Sequence, residues 1–164
     1  YIHLFSFMYF HSIELMQNTI SFHTKFGWIT ATEKKNKINS IMFKRYNKKS
    51  LKSPILKKFK KIINMFFNNR IKNINIPINL DGNFKQKRIW LEIKKIKKGD
   101  TSSYGNIGKK LKISPRYVGK VCSQNKLLLA IPCHRVIRND GFIGGYSANG
   151  GINLKRRLIN FEAK

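Results

Sequence analysis

The chain has 164 residues, enough for one ordinary domain or two small ones sharing a core. Lys and Arg total 34 against 7 Asp and Glu, and the formal net charge of +27 points to a polyanionic partner, most simply nucleic acid. An apolar fraction of 41% excludes a disordered basic tail, two cysteines exclude a disulfide-rich scaffold and a four-cysteine zinc site, and no uncharged apolar run reaches the roughly 18 residues of a membrane span.

The first fifteen residues, YIHLFSFMYFHSIEL, have no initiating Met and no basic stretch ahead of the apolar run, so they do not read as a signal peptide. We expect a disordered or non-native extension over residues 1–15, with Met16 as the start of the protein. His3 and His11 lack a ligand set of Cys and acidic neighbours and are read as incidental.

An N-terminal α/β portion with a small sheet is expected over residues 16–80. From Phe22 to Arg45 the pattern is strand-like, and a hairpin pairing FGWITAT with INSIMFKR across the polar break Glu33–Lys37 follows. Ser53-Pro54 then opens a helix, Ser as N-cap and Pro at the first helical position. Ile55, Leu56, Phe59, Ile62, Ile63, Phe66 and Phe67 recur at helical spacing and form its buried face, while Lys57, Lys58, Lys60 and Lys61 are solvated. Residues 71–83, with Pro77 and Asp81-Gly82, break both periodicities and read as a linker.

Residues 81–164 read as a second, mainly helical domain of winged-helix-like type. Phe84 to Lys97 places Ile89, Trp90, Ile93 and Ile96 on one side. Ser103 caps a short helix ending near Leu111, and Ser114-Pro115 caps another running to about Gln124, which is helix-turn-helix spacing. A final helix from Ile152 to Glu162 buries Leu154, Leu158 and Phe161.

Between these helices lies Ile131-Pro132-Cys133-His134-Arg135-Val136-Ile137. A cysteine beside cations or an imidazole is a candidate nucleophile, because the thiolate is the reactive species. Taken by itself a cysteine in an apolar setting is more often a small core residue. Adjacent residues of an extended segment point to opposite sides, so His134 would need a bridging water to act as base on Cys133. Of the two carboxylates after Asp100, Asp140 is explained by its Asn-Asp-Gly turn. Glu162 opposes the dipole at the end of the last helix, which makes it the better candidate to orient His134; an exposed terminal Glu is the plain alternative.

The run IPCHRVI, followed by GFIGGYS and a terminal helix ending in Glu, resembles the active site of O6-alkylguanine-DNA alkyltransferases. The similarity extends through SSYGNIG, SPRYVGKV and Gln124-Asn125, more weakly through FGWITATEKKNKINSIMF and QKRIW, and spans residues 20–162. The resemblance implies single-turnover repair: Cys133 accepts the alkyl group from O6 of guanine, His134 deprotonates it through a water, and Glu162 holds the imidazole. Tyr104 would donate to the purine ring nitrogen, the backbone near Ser147 would contact O6, and the carbonyls of Cys133 and Val136 would read the exocyclic amine. Tyr146 belongs to the same pocket. Arg116 would fill the gap left by the flipped nucleotide, and Asn125 would brace the turn after the recognition helix. Tyr117, Gly119, Lys120, Asn125 and Arg135 complete the expected DNA-contacting set, Gly119 by allowing close approach in the minor groove or merely by easing helix packing. Cys122 is read as a structural thiol.

Two departures stand out. The loop Gly145-Tyr146-Ser147-Ala148-Asn149-Gly150-Gly151 is two residues longer than the family's usual GYSGG, and Tyr117 stands where the family usually has Ala. No Cys precedes Cys122, so the zinc site of some relatives is not expected; no metal and no cofactor is implied. The resemblance implies double-stranded DNA containing O6-alkylguanine as the partner, a monomer without a membrane partner, and a place in the cytoplasm, nucleoid-associated in a prokaryote, or in the nucleus of a eukaryote. A non-enzymatic module recognising alkylated DNA is the first alternative, which Cys133 disfavours; a thiol hydrolase built on Cys133 and His134 is the second, which their adjacency disfavours.

The charge is evenly spread, 15 Lys/Arg and 2 acids in residues 1–80 against 19 and 5 in 81–164, and Lys, Asn and Ile abound as in an AT-rich genome. Only cations near the helix-turn-helix, such as Lys109, Lys110, Arg116, Lys120 and Lys126, are expected on phosphate, giving a salt slope of about four to six contacts.

Overall fold

The computed structural model describes residues 18–46 and 53–164; the expected extension over 1–15, with His3, His11 and Met16, lies outside them. Strands β1 (Asn18–Thr24), β2 (Gly27–Lys34) and β3 (Lys37–Met42) form an antiparallel sheet in the order β1-β2-β3. The expected hairpin is β2 and β3, and β1 is a third strand running ahead of it, pairing Phe22 with Ile29 and Asn18 with Glu33. The β2–β3 turn is two residues, Lys35 and Asn36, both at positive φ, the backbone that matches the twist of a tight hairpin.

Helix α1 (Pro54–Phe67) covers one face of this sheet with Ile55, Leu56, Phe59, Ile63, Phe66 and Phe67, and Phe59 meets Phe22 edge-on at 6.1 Å between ring centres. Each of these fully buried side chains contributes roughly 1.5–3 kcal/mol of transfer free energy. Ser53 sits at the N-cap but makes no side-chain cap bond; its hydroxyl goes to Glu33 instead. Residues 71–83 form neither long strand nor helix, yet they are fastened to the sheet: Ile38 N donates to Pro77 O and Asn79 N to Ile38 O, at 2.9 and 2.7 Å, with Ile74 and Ile76 buried.

Helix α2 (Phe84–Lys94) begins with a reciprocal capping box between Asn83 and Gln86. It buries Ile89, Trp90 and Ile93, and the Trp90 indole donates to Val121 O at 3.1 Å. A two-residue strand β4 (Ser102–Ser103) leads into α3 (Tyr104–Leu111), and α4 (Pro115–Ser123) follows after the turn 112–114. The hydroxyls of Ser103 and Ser114 cap these helices through Asn106 N and Tyr117 N. Gly108 makes the tight turn possible, since a Cβ there would lie 2.5 Å from Ile113 O. After α4 come a 3-10 turn (Cys133–Arg135), the strand β5 (Val136–Ile137), parallel to β4, and α5 (Gly151–Glu162). The architecture is the expected one: a small sheet with one helix, then a mainly helical domain.

The two halves share one core. Phe161, near the end of α5, packs its ring against Phe26, Phe66 and Phe67 at 5.4, 6.3 and 6.0 Å, and the Lys25 ammonium lies 3.9 Å from the Phe161 ring centre. The strand β3 also reaches the second half, Ile41 N donating to Lys126 O at 2.7 Å. Among the described residues no helix is long and apolar enough to cross a membrane.

Candidate active site

Cys133 opens the 3-10 turn, contrary to the extended segment expected from the sequence. Pro132, at φ −80° and ψ 62°, bends the chain, and the turn closes through Arg135 N donating to Pro132 O at 2.9 Å. Its three residues are all buried. The Cys133 thiol lines a cavity of about 380 Å³ together with Tyr104, Gly119, Cys122 and Ser123 on one side and Gly145, Tyr146 and Ser147 on the other.

Asn125 sits behind that thiol. Its amide donates to Ile131 O at 2.8 Å and to Cys133 Sγ at 3.1 Å, and its carbonyl accepts from Leu127 N at 2.8 Å. Burial pushes the Cys133 thiol up, opposed by the Asn125 bond and the Lys155 charge, both of which favour the thiolate. Asn125 is itself buried with its side chain fully engaged inside the protein, so it is a brace and not the DNA-contacting residue it was also expected to be.

His134 and Glu162 meet at 2.9 Å, Nε2 to Oε1, both almost wholly enclosed. A hydrogen on Nε2 facing the carboxylate leaves Nδ1 as the acceptor, and no protein group reaches buried Nδ1. Burial lowers the His134 pKa and the Glu162 contact resists that, so the ring is neutral and available as a base. Burial would raise the Glu162 carboxyl, but bonds from His134 and Arg135 outweigh it and hold it at about 2.

Arg135 is a correction. Expected on DNA, it is only 5% exposed, with its guanidinium committed to Glu162 at 2.7 and 3.0 Å and to Ile96 O at 2.6 Å. A cation so enclosed, with each of its three nitrogens bonded inside the protein, is not placed to reach phosphate.

Lys155 is the residue that the sequence did not flag. It is completely buried in α5, and its ammonium donates to Val136 O at 2.6 Å and Gly145 O at 3.1 Å, and reaches Tyr104 Oη at 3.5 Å. It thereby ties the long loop and β5 to the cavity wall. A lysine followed by Arg156 and Arg157 reads as part of a solvated basic run, and only its place next to Leu154, on the apolar side of α5, hints otherwise.

The remaining expected residues separate into groups. Tyr104 is part-buried, and burial pushes its hydroxyl up to about 12, which keeps it protonated. Tyr146 sets its ring edge-on to His134 at 6.4 Å, and its hydroxyl is buried without a protein partner. The carbonyl of Cys133 accepts from Val136 N and that of Val136 from the Lys155 ammonium. A Cβ at Gly119 would meet only the Tyr104 ring, at 3.9 Å, so helix packing does not require glycine there. Arg116 and Lys120 lie exposed on α4 and Tyr117 is half-buried, all outside the cavity lining; Lys110 is taken up by Glu92. Among the described residues no three His, Cys, Asp or Glu side chains gather as a metal site would require.

Residues 84–164 match the family described as 6-O-methylguanine DNA methyltransferase, DNA binding domain. Over 144 residues the chain is 37% identical to a methylated-DNA–protein-cysteine methyltransferase of Metallosphaera sedula, covering 87% of this chain and 90% of that protein. A protein of the same name from Methanocaldococcus vulcanius is 40% identical over 127 residues, 74% of this chain and 77% of its own length. The fold is similar to that of Mycobacterium tuberculosis OGT solved in complex with DNA, with a TM-score of 0.80 at 24% identity over 89% of this chain and 92% of that one. An O6-methylguanine DNA methyltransferase structure from Methanococcus jannaschii aligns with a TM-score of 0.66 at 26% identity, over 88% and 93% of the two chains.

Proposed function

This chain belongs to the methylated-DNA–protein-cysteine methyltransferase family, and on that premise we propose how its own residues carry out the family's reaction. The protein repairs DNA directly, moving a methyl or larger alkyl group from O6 of guanine to one of its own cysteines, once per molecule.

We assign the acceptor role to Cys133. The observation that carries this is its position: the thiol forms part of the wall of a cavity, backed by Asn125, with His134 next to it in the chain and Glu162 bonded to that imidazole. His134 Nδ1 takes the thiol proton through a water, and Sγ attacks the alkyl carbon. The bond from that carbon to O6 breaks and its electron pair stays with the purine. Tyr104 gives its hydroxyl proton to the purine ring nitrogen and regains one from solvent, while the backbone N–H near Ser147 donates to O6, so guanine departs as a neutral base. Glu162 fixes the imidazole and stabilises it while it holds the proton.

A base stacked in a duplex cannot reach an enclosed thiol, so the nucleotide must be flipped out. Arg116, exposed on the first turn of α4, fills the space it leaves; Lys120 supports the backbone, and the missing side chain at Gly119 lets the DNA come close. Residues 81–164 supply these groups and residues 16–80 support them. Every group in the scheme comes from one chain, so a monomer suffices.

The test is intact-mass analysis after incubation with a duplex carrying O6-methylguanine. One methyl mass should appear, and peptide mapping should place it on Cys133. No transfer by folded protein overturns the assignment, and transfer that persists in Cys133→Ser moves it to another residue. Binding without transfer would favour a pure recognition module.

A further inference from the structure

We infer that Phe161 is a positioning residue for the proposed reaction: it locks the last turn of α5 into the N-terminal half and so sets where Glu162 presents its carboxylate to His134. The inference rests on the repair reading above.

Glu162 is the last helical residue of α5, where a helix is least able to hold a side chain still. The carbonyls of a final turn have no partners within the helix, and a carboxylate there meets the negative end of the dipole. No basic residue lies in that turn to offset it. Arg135 grips the carboxylate itself, Nε to Oε2 at 2.7 Å and Nη2 to Oε1 at 3.0 Å. A side chain gripped at its tip still moves with its backbone, which must be held separately.

Phe161 supplies that hold. Successive helical residues point about 100° apart, so Glu162 turns to His134 while Phe161 turns to the other half. Its ring meets those of Phe26, Phe67 and Phe66 edge-on, at 5.4, 6.0 and 6.3 Å. Two ammonium groups approach it, Lys25 at 3.9 Å and Lys98 at 4.7 Å from the ring centre. The β1–β2 turn clamps α5 a second time through Arg157, whose guanidinium donates to Lys25 O at 2.9 Å. The turn at Gly99 closes on the Glu162 backbone as well: a Cβ on Gly99 would lie 3.2 Å from Glu162 O.

None of the four rings lines the cavity, so their effect on the reaction passes through the Glu162 backbone. Glu162 holds the imidazole hydrogen on Nε2 and leaves Nδ1 free to accept the thiol proton. With the last turn loosened, the hydrogen is shared with Nδ1, and a ring protonated there cannot accept the proton at that atom. A misplacement of about 1 Å in a positioned group can slow a reaction roughly a hundredfold.

The experiment follows the full chain and its Phe161→Leu, Phe161→Tyr and Phe59→Leu variants by nitrogen-15 NMR of the histidine rings at neutral pH and by single-turnover transfer from methylated duplex. Phe161→Leu removes the ring, Phe161→Tyr keeps it, and Phe59→Leu weakens the core beside Phe22 instead. In the wild-type chain and in Phe161→Tyr the His134 hydrogen should sit on Nε2. In Phe161→Leu it should be shared with Nδ1, and transfer by the folded chain should slow by roughly tenfold or more. Phe59→Leu should lower the melting temperature and leave tautomer and rate as they are. A wild-type tautomer or rate in folded Phe161→Leu overturns the inference, and so does a Phe59→Leu chain disturbed in the same way. If Phe161→Leu does not fold, Lys25→Met decides by the same two readings; it takes one ammonium off the ring and should slow transfer about threefold. A wild-type chain that keeps its hydrogen on Nε2 but transfers no methyl counts against the repair reading and not against the positioning, so the two failures are distinguishable.

Discussion

Arg135 and Glu162 form a two-pronged ion pair, Nε to Oε2 at 2.7 Å and Nη2 to Oε1 at 3.0 Å, and the same Oε1 meets His134 Nε2 at 2.9 Å. One carboxylate therefore answers to a fixed cation and to the proposed base at once. The bonds from Arg135 keep the carboxylate ionised and orient it, so that the imidazole is presented in one geometry.

Removing Arg135 should act on the site and not on DNA affinity. Arg135→Ala leaves a buried carboxylate short of its main partner, a change that costs about 3–5 kcal/mol in comparable pairs. We expect a lower denaturation midpoint and slower transfer, with the dissociation constant for undamaged duplex within about twofold of wild type because the side chain is enclosed. Arg135→Lys should recover only part of the loss, since an ammonium cannot match the two-pronged geometry. A large drop in DNA affinity in folded Arg135→Lys would restore the DNA-contact reading.

The two cysteines line one cavity but should behave differently. Burial and the neighbouring Cys133 both push the Cys122 thiol well up, while the Asn125 amide bonds only Cys133. Cys122→Ser should still gain one methyl, and Cys133→Ser none. Mass mapping of both variants after reaction with methylated duplex decides this, and methyl found on Cys122 in the wild-type protein would contradict it.

Gly119→Ala separates packing from approach. The new methyl finds ordinary contact with Tyr104, and alanine is favoured over glycine in a helix by about 1 kcal/mol, so thermal stability should hold or rise. Binding to duplex should nevertheless weaken, because the added atoms stand on the face proposed to approach the backbone. A variant that is destabilised yet binds normally would assign Gly119 to packing alone.

Acid should unfold the protein in two stages. His134 has its pKa lowered by burial below the ordinary 6.5, so the unfolded chain binds this proton first and stability begins to fall as pH drops through 6.5. Glu162 ionises at about 2 in the fold against 4.5 otherwise, so its contribution, on the order of 3 kcal/mol, is complete above 4.5 and is lost on the way down to about 2. Melting temperature against pH checks both stages, and His134→Gln should remove the upper one. The single-turnover rate, which needs neutral imidazole, should stay level near neutral pH and decline only below 6.5.

Lys155→Met keeps most of the side chain's bulk and removes its three polar contacts. Val136 O and Gly145 O lose their buried donor, which loosens the loop against the cavity. We expect transfer slowed by at least tenfold, equivalent to about 1.4 kcal/mol of positioning, with affinity for undamaged duplex retained. Unchanged transfer would show that the loop holds its shape without the ammonium.

Features set by neighbours in the chain are legible in the sequence. The apolar spacing of α1 and the hydroxyl caps at Ser103 and Ser114 depend on residues three or four positions apart. The strand β1 was harder to read, because Asn18–Thr24 runs into β2 through a tight turn with no long polar break. What the sequence could not convey was burial imposed from a distance. Arg135 looks like any exposed cation until Ile96 and Glu162, 39 and 27 residues away, are folded against it, and Lys155 is enclosed only when Val136 and Gly145 close over it. The cavity itself needed the 3-10 turn at Cys133, which an extended reading of IPCHRVI did not provide.

The hydrogen bonds along β3 have a bearing on self-association. A bare strand edge is a template for pairing with another molecule. Here Ile38 is covered by Pro77 and Asn79, and Ile41 by Lys126, on the loop that leads to Cys133. The loop that carries the thiol is thus also part of the sheet's protection against aggregation. Separating the halves would strip the part of that guard at Ile41: the first half alone would offer that end of β3 to a second copy, and residues 81–164 alone would leave Leu127 and Leu128, now buried, without the strand that covers them.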